Sequence, residues 1–554
     1  MKINFYSTIA LILIFILWIT PGLFGRDPWK ADEPYSFGLV YHIIRTGDWV
    51  VPELTGEPFL EKPPLFYLTA GGFGHLLSPP LNLFDATRLA IVFYMFLAFL
   101  FFTLTARELY SKEYGGPAAI VLASCILLQE YMHKMITDVA LFAGFSIALY
   151  GFALSRRRRI GGFWIGTGIG IGFMAKGLLA PGLLGITAVA LPLIFPLWRR
   201  KDYWISLAIA ALAAMPWLII WPTALYVRSA DLFVQFIWYE NMGRFFGFGP
   251  EAARDSHSYY FVNLLWLTWP VIVPAVWSLW HFRKYRQEHP LYQLPLVFSI
   301  ATLAVLIASS SNRPLYAVPL LLPLSLIAVP GVDLVPRKMK TIGNWFSILI
   351  FAGIALFLWF SWIAMITGKP AAIAAKLHAF QPDYLPQVRY GLLAVAVFYS
   401  LAWLFIIVNI THSSENYYVN WTLGIVLAWG LVMTLWLPAL NSGSSFGAAF
   451  TSLKKSLPVQ YSCIARRGLG ESERAMLEYY TGVDTIGSDD PRAQNCDLIL
   501  EQRSGKSLET EDSRLYRKIW TFNHPSINPK DIFTLYKEGP LSDSDERNHR
   551  KARN

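Results

Sequence analysis

Two charged clusters follow the first apolar segment of the chain. Asp32 and Glu33 lie a few residues beyond the end of that segment, and Glu61 and Lys62 stand directly before two prolines. Carboxylates next to hydrocarbon are costly, so the acidic pair is expected to face a wet cavity. Prolines restrict the backbone around Lys62, which makes this lysine a candidate point-charge ligand for phosphate. Glu61 would then orient it, pair with it or bind a metal.

Both clusters also have plainer explanations. An isolated pair such as Asp32 and Glu33 is often no more than the exposed start of a loop. A lysine near a membrane usually extends along apolar surface to place its ammonium group at the interface, and Lys62 could do only that.

Two further charged residues stand at the ends of apolar segments. Asp138 begins one of them, where a carboxylate either caps the helix N-terminus or faces the same cavity as Asp32. Lys176 lies between two apolar segments and is expensive to bury without a partner. Near the reaction face it would help to neutralise phosphate.

The segment 223–258 carries charged residues in an aromatic setting. Arg244 could bind phosphate bidentately, although loop arginines also meet lipid headgroups and carboxylates. A single histidine such as His257 is more often structural than a metal ligand. Glu61 and His257 would nevertheless form part of a divalent-metal site if the two loops fold together. Apart from this candidate metal, no cofactor is expected.

The composition identifies the chain as a polytopic membrane protein. Of its 554 residues, 55% are hydrophobic and 15% are charged, and the mean hydropathy is +0.41. The formal net charge of +10 lies mostly in short clusters between apolar segments. That pattern indicates topology determinants rather than nucleic-acid binding. The N-terminal apolar run has no convincing cleavage site and is expected to remain as the first membrane helix.

Roughly thirteen apolar stretches are long enough to cross about 30 Å of hydrocarbon. Their approximate extents are 7–25, 88–106, 117–132, 138–155, 161–176, 178–197, 204–222, 259–280, 292–310, 315–332, 343–366, 388–410 and 419–439.

If these spans alternate in direction, the basic clusters all fall on one side, which is therefore the cytoplasm. The opposite side receives the long first loop 26–87, the loops 223–258 and 367–387, and the tail. Every candidate site residue lies on that side. Residues 1–440 are thus predicted to form an all-α transmembrane domain that includes the first loop.

The tail 441–554 changes to a soluble composition and is predicted to be a small α/β domain with a polar, disordered end from Gly539. The sequence predicts a helix from Glu471 to Tyr480, closed by Gly482, and a set of short strands. The predicted strands are Pro458 to Ile464, Cys496 to Glu501, Leu515 to Phe522 and Asp531 to Leu535. Cys463 and Cys496 could form a disulfide in an oxidising compartment, whereas Cys125 is expected to be inert packing.

The first loop resembles the signature of GT-C membrane glycosyltransferases that use polyprenyl-phosphate-linked sugars. The residues that carry the resemblance are Asp32-Glu33, Gly47-Asp48-Trp49, Pro52, Glu61-Lys62-Pro63-Pro64-Leu65 and Arg88. Further matches are Lys176-Gly177, Pro181-Gly182, Glu240, Arg244, His257, Tyr260 and the run from Ser309 through Arg313 and Pro314 to Tyr316. Over nearly its full length the chain is similar to the bacterial 4-amino-4-deoxy-L-arabinose lipid A transferases. Their last pattern usually reads Lys-Leu-Pro-x-Tyr, and Arg313 keeps its positive charge.

This resemblance implies a transmembrane helical bundle in the bacterial inner membrane, with a periplasmic domain and a periplasmic active site. The implied donor is undecaprenyl-phosphate-linked aminoarabinose and the acceptor is a phosphate of lipid A, a modification that gives polymyxin resistance. Membrane lipids are the surrounding partners, and a monomer is expected. The predicted catalytic carboxylates are Asp32 and Asp138. The predicted substrate-binding residues are Lys62, Glu61, Glu33, Arg244, His257, Lys176, Arg313 and Tyr316.

Three alternatives remain open at the level of sequence. The first-loop signature is shared by enzymes that transfer other sugars, including protein mannosyltransferases. An oligosaccharide ligase would have the same topology and the same kind of donor, but it would need a base for an acceptor hydroxyl. A lipid transporter is disfavoured because the sequence has no internal repeat and its polar residues gather in loops on one side.

Overall fold

The chain folds into a long helical bundle followed by a small domain built on a β-sheet. The computed structural model describes residues 7–243, 246, 258–283, 291–309, 312–380, 384–409, 416–504, 516–524 and 531–538. The candidate site residues Arg244 and His257 therefore lie outside the described residues, as does the tail predicted to be disordered.

The bundle contains helices α1 to α20. Their bounds, in chain order, are Thr8–Ile19, Asp32–Thr46, Leu65–Leu77, Leu83–Leu109, Gly115–Ala123, Ile126–Tyr131, Asp138–Ser155, Gly161–Lys176, Leu179–Ile194, Lys201–Arg228, Ala230–Val234, Tyr259–Leu267, Ile272–His281, Gln293–Ala308, Leu321–Leu334, Arg337–Thr367, Ala371–Phe380, Tyr390–Asn409, Tyr417–Leu431 and Leu437–Ser444. Short 3₁₀ helices occupy Lys112–Tyr114, Pro196–Trp198 and Pro314–Leu320, and π-helical turns occupy Gln235–Gly243 and Val432–Trp436.

Seven of the described helices are long and apolar enough to cross a membrane, which makes the protein a multi-pass membrane protein. An eighth crossing is added if α12 and α13, which meet at a bend of 98°, form one broken span. Shorter apolar helices such as α1 and α9 account for other predicted spans. The predicted span 117–132 is divided into α5 and α6, and the total of thirteen stays a prediction.

The centre of the bundle is α7, whose residues are almost all buried between α4 and α8. Glycines let the backbones of α7 and α8 touch, since a Cβ on Gly168 would lie 2.5 Å from the carbonyl oxygen of Gly144. The two helices run in opposite directions. As a result the first residue of α7, Asp138, and the last residue of α8, Lys176, lie at the same end of the bundle.

The predicted first loop is itself largely folded. It contains α2, α3 and a two-residue hairpin in which β1 (Glu53–Leu54) pairs with β2 (Glu57–Pro58). Gly47 ends α2 in the left-handed conformation, with φ of 71°. The sequence interpretation treated this segment as a loop because neither helix is long enough to read as a span.

The C-terminal domain contains α21 (Gly447–Ser456), α22 (Glu471–Thr481), a 3₁₀ turn at Pro491–Asn495 and a five-stranded sheet. Its strands are β3 (Ile464–Arg467), β4 (Thr485–Gly487), β5 (Leu498–Ser504), β6 (Tyr516–His524) and β7 (Asp531–Glu538). Their order across the sheet is β4-β3-β5-β7-β6, with β3 parallel to both its neighbours and the other pairs antiparallel.

Most of the sequence prediction for this domain is confirmed. The helix at 471, its closure at Gly482 and the last three predicted strands are present, and a disulfide joins Cys463 to Cys496. The strand predicted from Pro458 is wrong, because pairing begins only at Ile464. Before that point the backbone of Ser462 donates to the side chain of Asp497 instead of to a strand. The short strand β4 was not predicted.

The C-terminal domain rests on the first loop through α22. At the closest approach of α22 to α2, a Cβ on Gly38 would lie 2.6 Å from the Cβ of Ala475. The carboxylate of Glu57, in the hairpin, accepts hydrogen bonds from Arg466 and Arg474. The sheet domain therefore holds the loop on which the first candidate site residues lie.

Candidate active site

A buried ion network fixes the start of the first loop. The Glu33 carboxylate accepts from the guanidinium of Arg26, from the Met135 amide at 3.0 Å and from the Trp29 amide at 3.2 Å. Arg88 donates to the carbonyl oxygen of Arg26, and both arginines are almost completely buried. In this arrangement Glu33 ties the start of α2 to the turn that precedes α7. It thus sets the spacing between Asp32 and Asp138, and its predicted contact with substrate stays a prediction.

Next to this network, Lys62 reaches α2. Its ammonium group donates to the phenol oxygen of Tyr35 at 2.6 Å and lies 5.0 Å from the centre of that ring. The Tyr35 hydroxyl in turn lies 3.5 Å from an oxygen of Asp32. Because Tyr35 is one helical turn after Asp32, the helix itself places the phenol between the carboxylate and the lysine. The structure thus links the two charged clusters of the first loop.

Lys62 keeps its charge although its side chain is only 11% exposed. Burial alone would lower the pKa of Lys62, but the Glu61 carboxylate, 3.4 Å away, and the other acidic groups around it hold the pKa well above its ordinary value. Burial also raises the pKa of Tyr35, so its phenol stays protonated. The cluster therefore offers a fixed ammonium and a neutral hydroxyl at neutral pH.

Arg313 approaches Asp32 from the other side. Its guanidinium lies 3.6 Å from the carboxylate. Burial would lower the pKa of Arg313, yet Asp32 keeps it above the usual value. The hydroxyl of Tyr260, on α12, contacts both the amide and the carbonyl oxygen of Arg313 at 3.1 Å. Tyr260 therefore positions the backbone from which Arg313 extends.

A second carboxylate and lysine complete the cluster at the ends of α7 and α8. Lys176 forms an ion pair with Asp138, and its ammonium group lies 4.5 Å from the ring centre of Tyr316. Both charged side chains are largely buried, at 17% and 8% exposure. The ion pair and the ring together offset the cost of burying this lysine.

These contacts give three neighbouring ion pairs, each of one cation and one carboxylate. They are adjacent, because the Asp138 carboxylate helps to raise the pKa of Lys62 and the Glu61 carboxylate helps to raise the pKa of Arg313. A phosphate that contacts the cations would compete with their carboxylates. Binding would therefore exchange one anionic partner for another, and it would not require bare cations to be buried.

A glycine holds the end of α8 in place. Gly177 has φ of +62°, and a Cβ there would lie 1.9 Å from the side-chain oxygen of Asn241. That oxygen accepts from the amide of Leu178 at 2.9 Å, and the Asn241 amide group donates to Phe236 at 2.7 Å. The π-helical turn 235–243 is thereby fixed against the segment that carries Lys176.

The structure brings together most of the predicted site: Asp32, Glu61, Lys62, Asp138, Lys176, Arg313 and Tyr316. Arg244 and His257 lie outside the described residues, so their predicted roles stay predictions. Among the residues that the structure does describe, no group of three or more His, Cys, Asp or Glu side chains could hold a metal ion. Glu61 pairs with Lys62, and its role as a metal ligand with His257 also stays a prediction.

Sequence reasoning missed Tyr35 and Asn241, and it named Tyr260 only as part of the resemblance, without a role. Tyr35 had a local signal, since a residue three positions after Asp32 shares its helix face once α2 is recognised as a helix. Tyr260 and Asn241 act on Arg313 and Leu178 through contacts between segments far apart in the chain. Those contacts leave no pattern in one sequence.

Comparison with known proteins confirms the resemblance seen in the sequence. Residues 61–221 match the family described as dolichyl-phosphate-mannose-protein mannosyltransferase. An undecaprenyl phosphate-alpha-4-amino-4-deoxy-L-arabinose arabinosyl transferase of Pseudomonas aeruginosa (strain UCBPP-PA14) is 31% identical over 57% of this chain and 58% of its own. The protein of the same name from Serratia proteamaculans is 24% identical over 74% of this chain and 72% of its own.

A solved structure shares the fold over nearly the whole chain. The crystal structure of ArnT from Cupriavidus metallidurans bound to undecaprenyl phosphate matches with a TM-score of 0.65 and 16% identity, covering 96% of this chain and 98% of that one. The predicted architecture, a helical membrane domain followed by a small sheet domain, is thus confirmed. The sequence match to the Pseudomonas relative covers 58% of that relative's length.

Proposed function

We propose that this protein is a membrane glycosyltransferase that transfers 4-amino-4-deoxy-L-arabinose from undecaprenyl phosphate to a phosphate of lipid A. The reaction takes place at the periplasmic face of the bacterial inner membrane and lowers the negative charge of the cell surface, which protects against polymyxin. The observation that carries the proposal is the convergence of Lys62, Lys176 and Arg313, each beside a carboxylate, at one end of a bundle with the fold of ArnT.

The reaction is a substitution at the anomeric carbon of the sugar. A phosphate oxygen of the acceptor attacks that carbon, and the bond from the carbon to the phosphate oxygen of the donor breaks. The leaving undecaprenyl phosphate takes the electron pair, so no proton has to move. Because the attacking phosphate is already anionic at neutral pH, a strong general base is not required.

In this scheme the cationic side chains bind the phosphates and stabilise the leaving group. Lys62 holds the donor phosphate and stabilises the negative charge that develops on it as the bond breaks. Its hydrogen bond to Tyr35 and its ion pair with Glu61 fix the ammonium group before substrate arrives. Arg313 and Lys176 flank this position and counter the repulsion between two phosphates, with Arg244 as a further predicted helper.

The carboxylates act on the sugar and the acceptor. Asp32 stabilises the positive charge that builds on the sugar ring or orients the acceptor, and Asp138 assists it from the end of α7. The sugar also carries a cationic amine, for which either carboxylate is a suitable partner. A phosphate that takes over Arg313 from Asp32 would release this carboxylate for that contact.

A protein mannosyltransferase is the second candidate, because the family match at residues 61–221 is described by that activity. In such an enzyme the nucleophile is a hydroxyl group of the acceptor protein, which needs a base to remove its proton. Asp32 is the candidate for that role, since it lies beside Tyr35 and Arg313 at the centre of the cluster. The two reactions are separated by their acceptors.

The test is transfer by the purified full-length protein in lipid vesicles. Donor lipid and lipid A are supplied, and the product is read by mass spectrometry of lipid A. We expect one or more added aminoarabinose groups with the wild type and none with Lys62→Ala, which should remain inserted and folded. Transfer to a protein hydroxyl but not to lipid A would overturn the proposal in favour of the second candidate. Near-normal transfer by Lys62→Ala would remove Lys62 from the mechanism.

A further inference from the structure

A cavity of about 390 Å³ opens beside the end of the long helix α16. Its wall is mostly apolar and comes from α16, α17 and the segment that leads into α20. The lining includes Met365, Leu377, His378, Tyr384 and Trp436. None of the residues that bound it takes part in the cluster around Lys62, so the cavity is separate from the candidate active site.

The cavity lies at the same end of the bundle as the active site. Ala439 and Leu440 of α20 line it. The next residue, Asn441, accepts hydrogen bonds from the indole of Trp29 at 2.8 Å and from the amide of Asp27 at 3.3 Å. These contacts join α20 to the first loop only a few residues before Asp32. A molecule seated in the cavity would therefore be close to the loop that carries the site.

Basic side chains lie in the lining of the cavity and close to its lining residues in the chain. His378 lines it, Lys369 follows the lining residue Gly368, and Arg389 acts on the charge of the lining residue Tyr384. All three basic side chains are exposed, and the structure shows no ion pair for them within the residues it describes. The rule that collects cations on the cytoplasmic side does not account for them, since they belong to the predicted non-cytoplasmic loop 367–387 and its border.

The helix α17 contributes both apolar side chains and basic side chains to this region. Its sequence, Ala371–Phe380, is apolar except for Lys376 and His378. Ala374, Leu377 and His378 follow the helical spacing of one face and line the cavity, whereas Lys376 is absent from the lining. A short helix with an apolar face and basic residues at its edge is suited to the membrane interface, where lipid headgroups meet acyl chains.

We propose that this cavity and its basic rim, Lys369, His378 and Arg389, are the docking surface for the acceptor, a phosphorylated lipid of the periplasmic leaflet. One acyl chain of the lipid occupies the apolar cavity, and a headgroup phosphate contacts the rim. The inference rests on the proposed function. The donor is a poorer occupant because its single phosphate is already assigned to Lys62, whereas an acceptor with several chains and phosphates needs a second surface.

The test compares the kinetics of the full-length protein in vesicles with those of a triple variant, Lys369→Gln, His378→Gln and Arg389→Gln. Removing a cation near the membrane surface weakens binding of an anionic lipid roughly fivefold. We expect the KM for lipid A to rise by at least that factor, with kcat at saturating lipid A and the affinity for undecaprenyl phosphate unchanged. Ala374→Phe, which fills the cavity, should raise the same KM without removing charge.

Lys376→Gln is the matched control, because it removes a cation from the same helix outside the cavity lining. It should change the KM for lipid A by less than twofold. An unchanged KM for lipid A in the triple variant would overturn the proposal. An equal rise of this KM in the control variant would overturn it as well. An equal loss of undecaprenyl phosphate affinity would instead assign the surface to the donor or to anionic lipids in general. Absence of aminoarabinose transfer by the wild type would contradict the proposed function, and it is read separately from these comparisons.

Discussion

Lys62 donates a hydrogen bond to the phenol oxygen of Tyr35 at 2.6 Å, so the ammonium group is fixed by a neutral residue as well as by Glu61. Tyr35→Phe would remove that bond and keep the ring against which the ammonium packs. A hydrogen bond to a charged group contributes about 1.5–3 kcal/mol. We therefore expect kcat/KM for transfer to fall by roughly tenfold to a hundredfold, as measured with the purified protein in vesicles.

Tyr41→Phe is the control for this change. Tyr41 lies on the same helix and packs against Phe37 and Tyr479 rather than against Lys62. Its loss of a hydroxyl should leave kcat/KM within about twofold. Equal effects of the two variants would mean that Tyr35 acts through the stability of α2 and not through Lys62.

Glu33 and Asp32 are neighbours in sequence with opposite expected roles. Glu33→Gln leaves Arg26 buried without its carboxylate and Arg88 with only the more distant Asp85, which costs about 3–5 kcal/mol of folding free energy. Asp32→Asn removes the ion pair with the half-exposed Arg313 and keeps an oxygen that can accept from Tyr35, at a cost below about 1 kcal/mol. Thermal unfolding in detergent should thus show a clear loss for Glu33→Gln and almost none for Asp32→Asn.

The activities of these two variants should show the opposite order, with the larger specific effect in Asp32→Asn. Asp32→Asn is expected to abolish transfer by a stable protein, whereas Glu33→Gln should lose activity in proportion to its folded fraction. A stable and inactive Glu33→Gln would support the predicted role of Glu33 in substrate binding. A fully active Asp32→Asn would remove Asp32 from the mechanism.

The chemistry of the site was more accessible from sequence than its geometry. A charged residue next to an apolar segment is costly and is therefore a candidate for function. This argument identified Lys62, Asp32, Asp138 and Lys176. Their pairing could not be predicted, since Lys176 meets Asp138 only because glycines bring α7 and α8 into backbone contact. The burial of Glu33 between Arg26 and Arg88 could not be predicted either, since these residues meet only through the fold of the first loop.

The fold was predictable in outline for a similar reason. Apolar length identifies a membrane bundle, and alternating residues identify the sheet of the tail. The helices α2 and α3 inside the first loop escaped notice because their stability comes from packing, for example that of Gly38 against Ala475. The short strand β4 has only three residues and depends on its parallel pairing with β3.

Gly177→Ala tests the junction between α8 and α9. An alanine is strained at a φ of +62°, and its Cβ would collide with Asn241. We expect the π-helical turn 235–243 to be displaced and the protein to lose about 1–3 kcal/mol of stability, with a clear loss of transfer because Lys176 moves. Thermal unfolding and the transfer assay measure the two effects.

Gly182→Ala provides the comparison, because a Cβ there meets nothing within 4 Å and the residue lies inside α9. Alanine favours a helix over glycine by about 0.5–1 kcal/mol, so this variant should be as stable as the wild type or more stable. Equal behaviour of both variants would show that the contact with Asn241 does not constrain the site.

The contact between Glu57 and the C-terminal domain should depend on pH. Burial would raise the pKa of Glu57, but hydrogen bonds and charge from Arg474 and Arg466 outweigh it and lower the pKa below its usual value. A carboxylate with a lowered pKa contributes its full stabilisation above the unfolded pKa, near 4.3, and loses it as the pH falls through the folded value. We expect the protection of amides in β1, β2 and α22 against hydrogen exchange, relative to the unfolded chain at the same pH, to fall below about pH 4.

Glu57→Gln should lower the protection in the same segments at neutral pH and flatten the dependence of that protection on pH below about 5. Glu53→Gln is the matched control in the same hairpin, because its partner is His42 at 3.8 Å. Burial lowers the pKa of His42, which leaves that histidine neutral and the pair weak at neutral pH. An equal change in Glu53→Gln, or an unaltered pH profile in Glu57→Gln, would show that the two arginines do not hold the domain on the first loop.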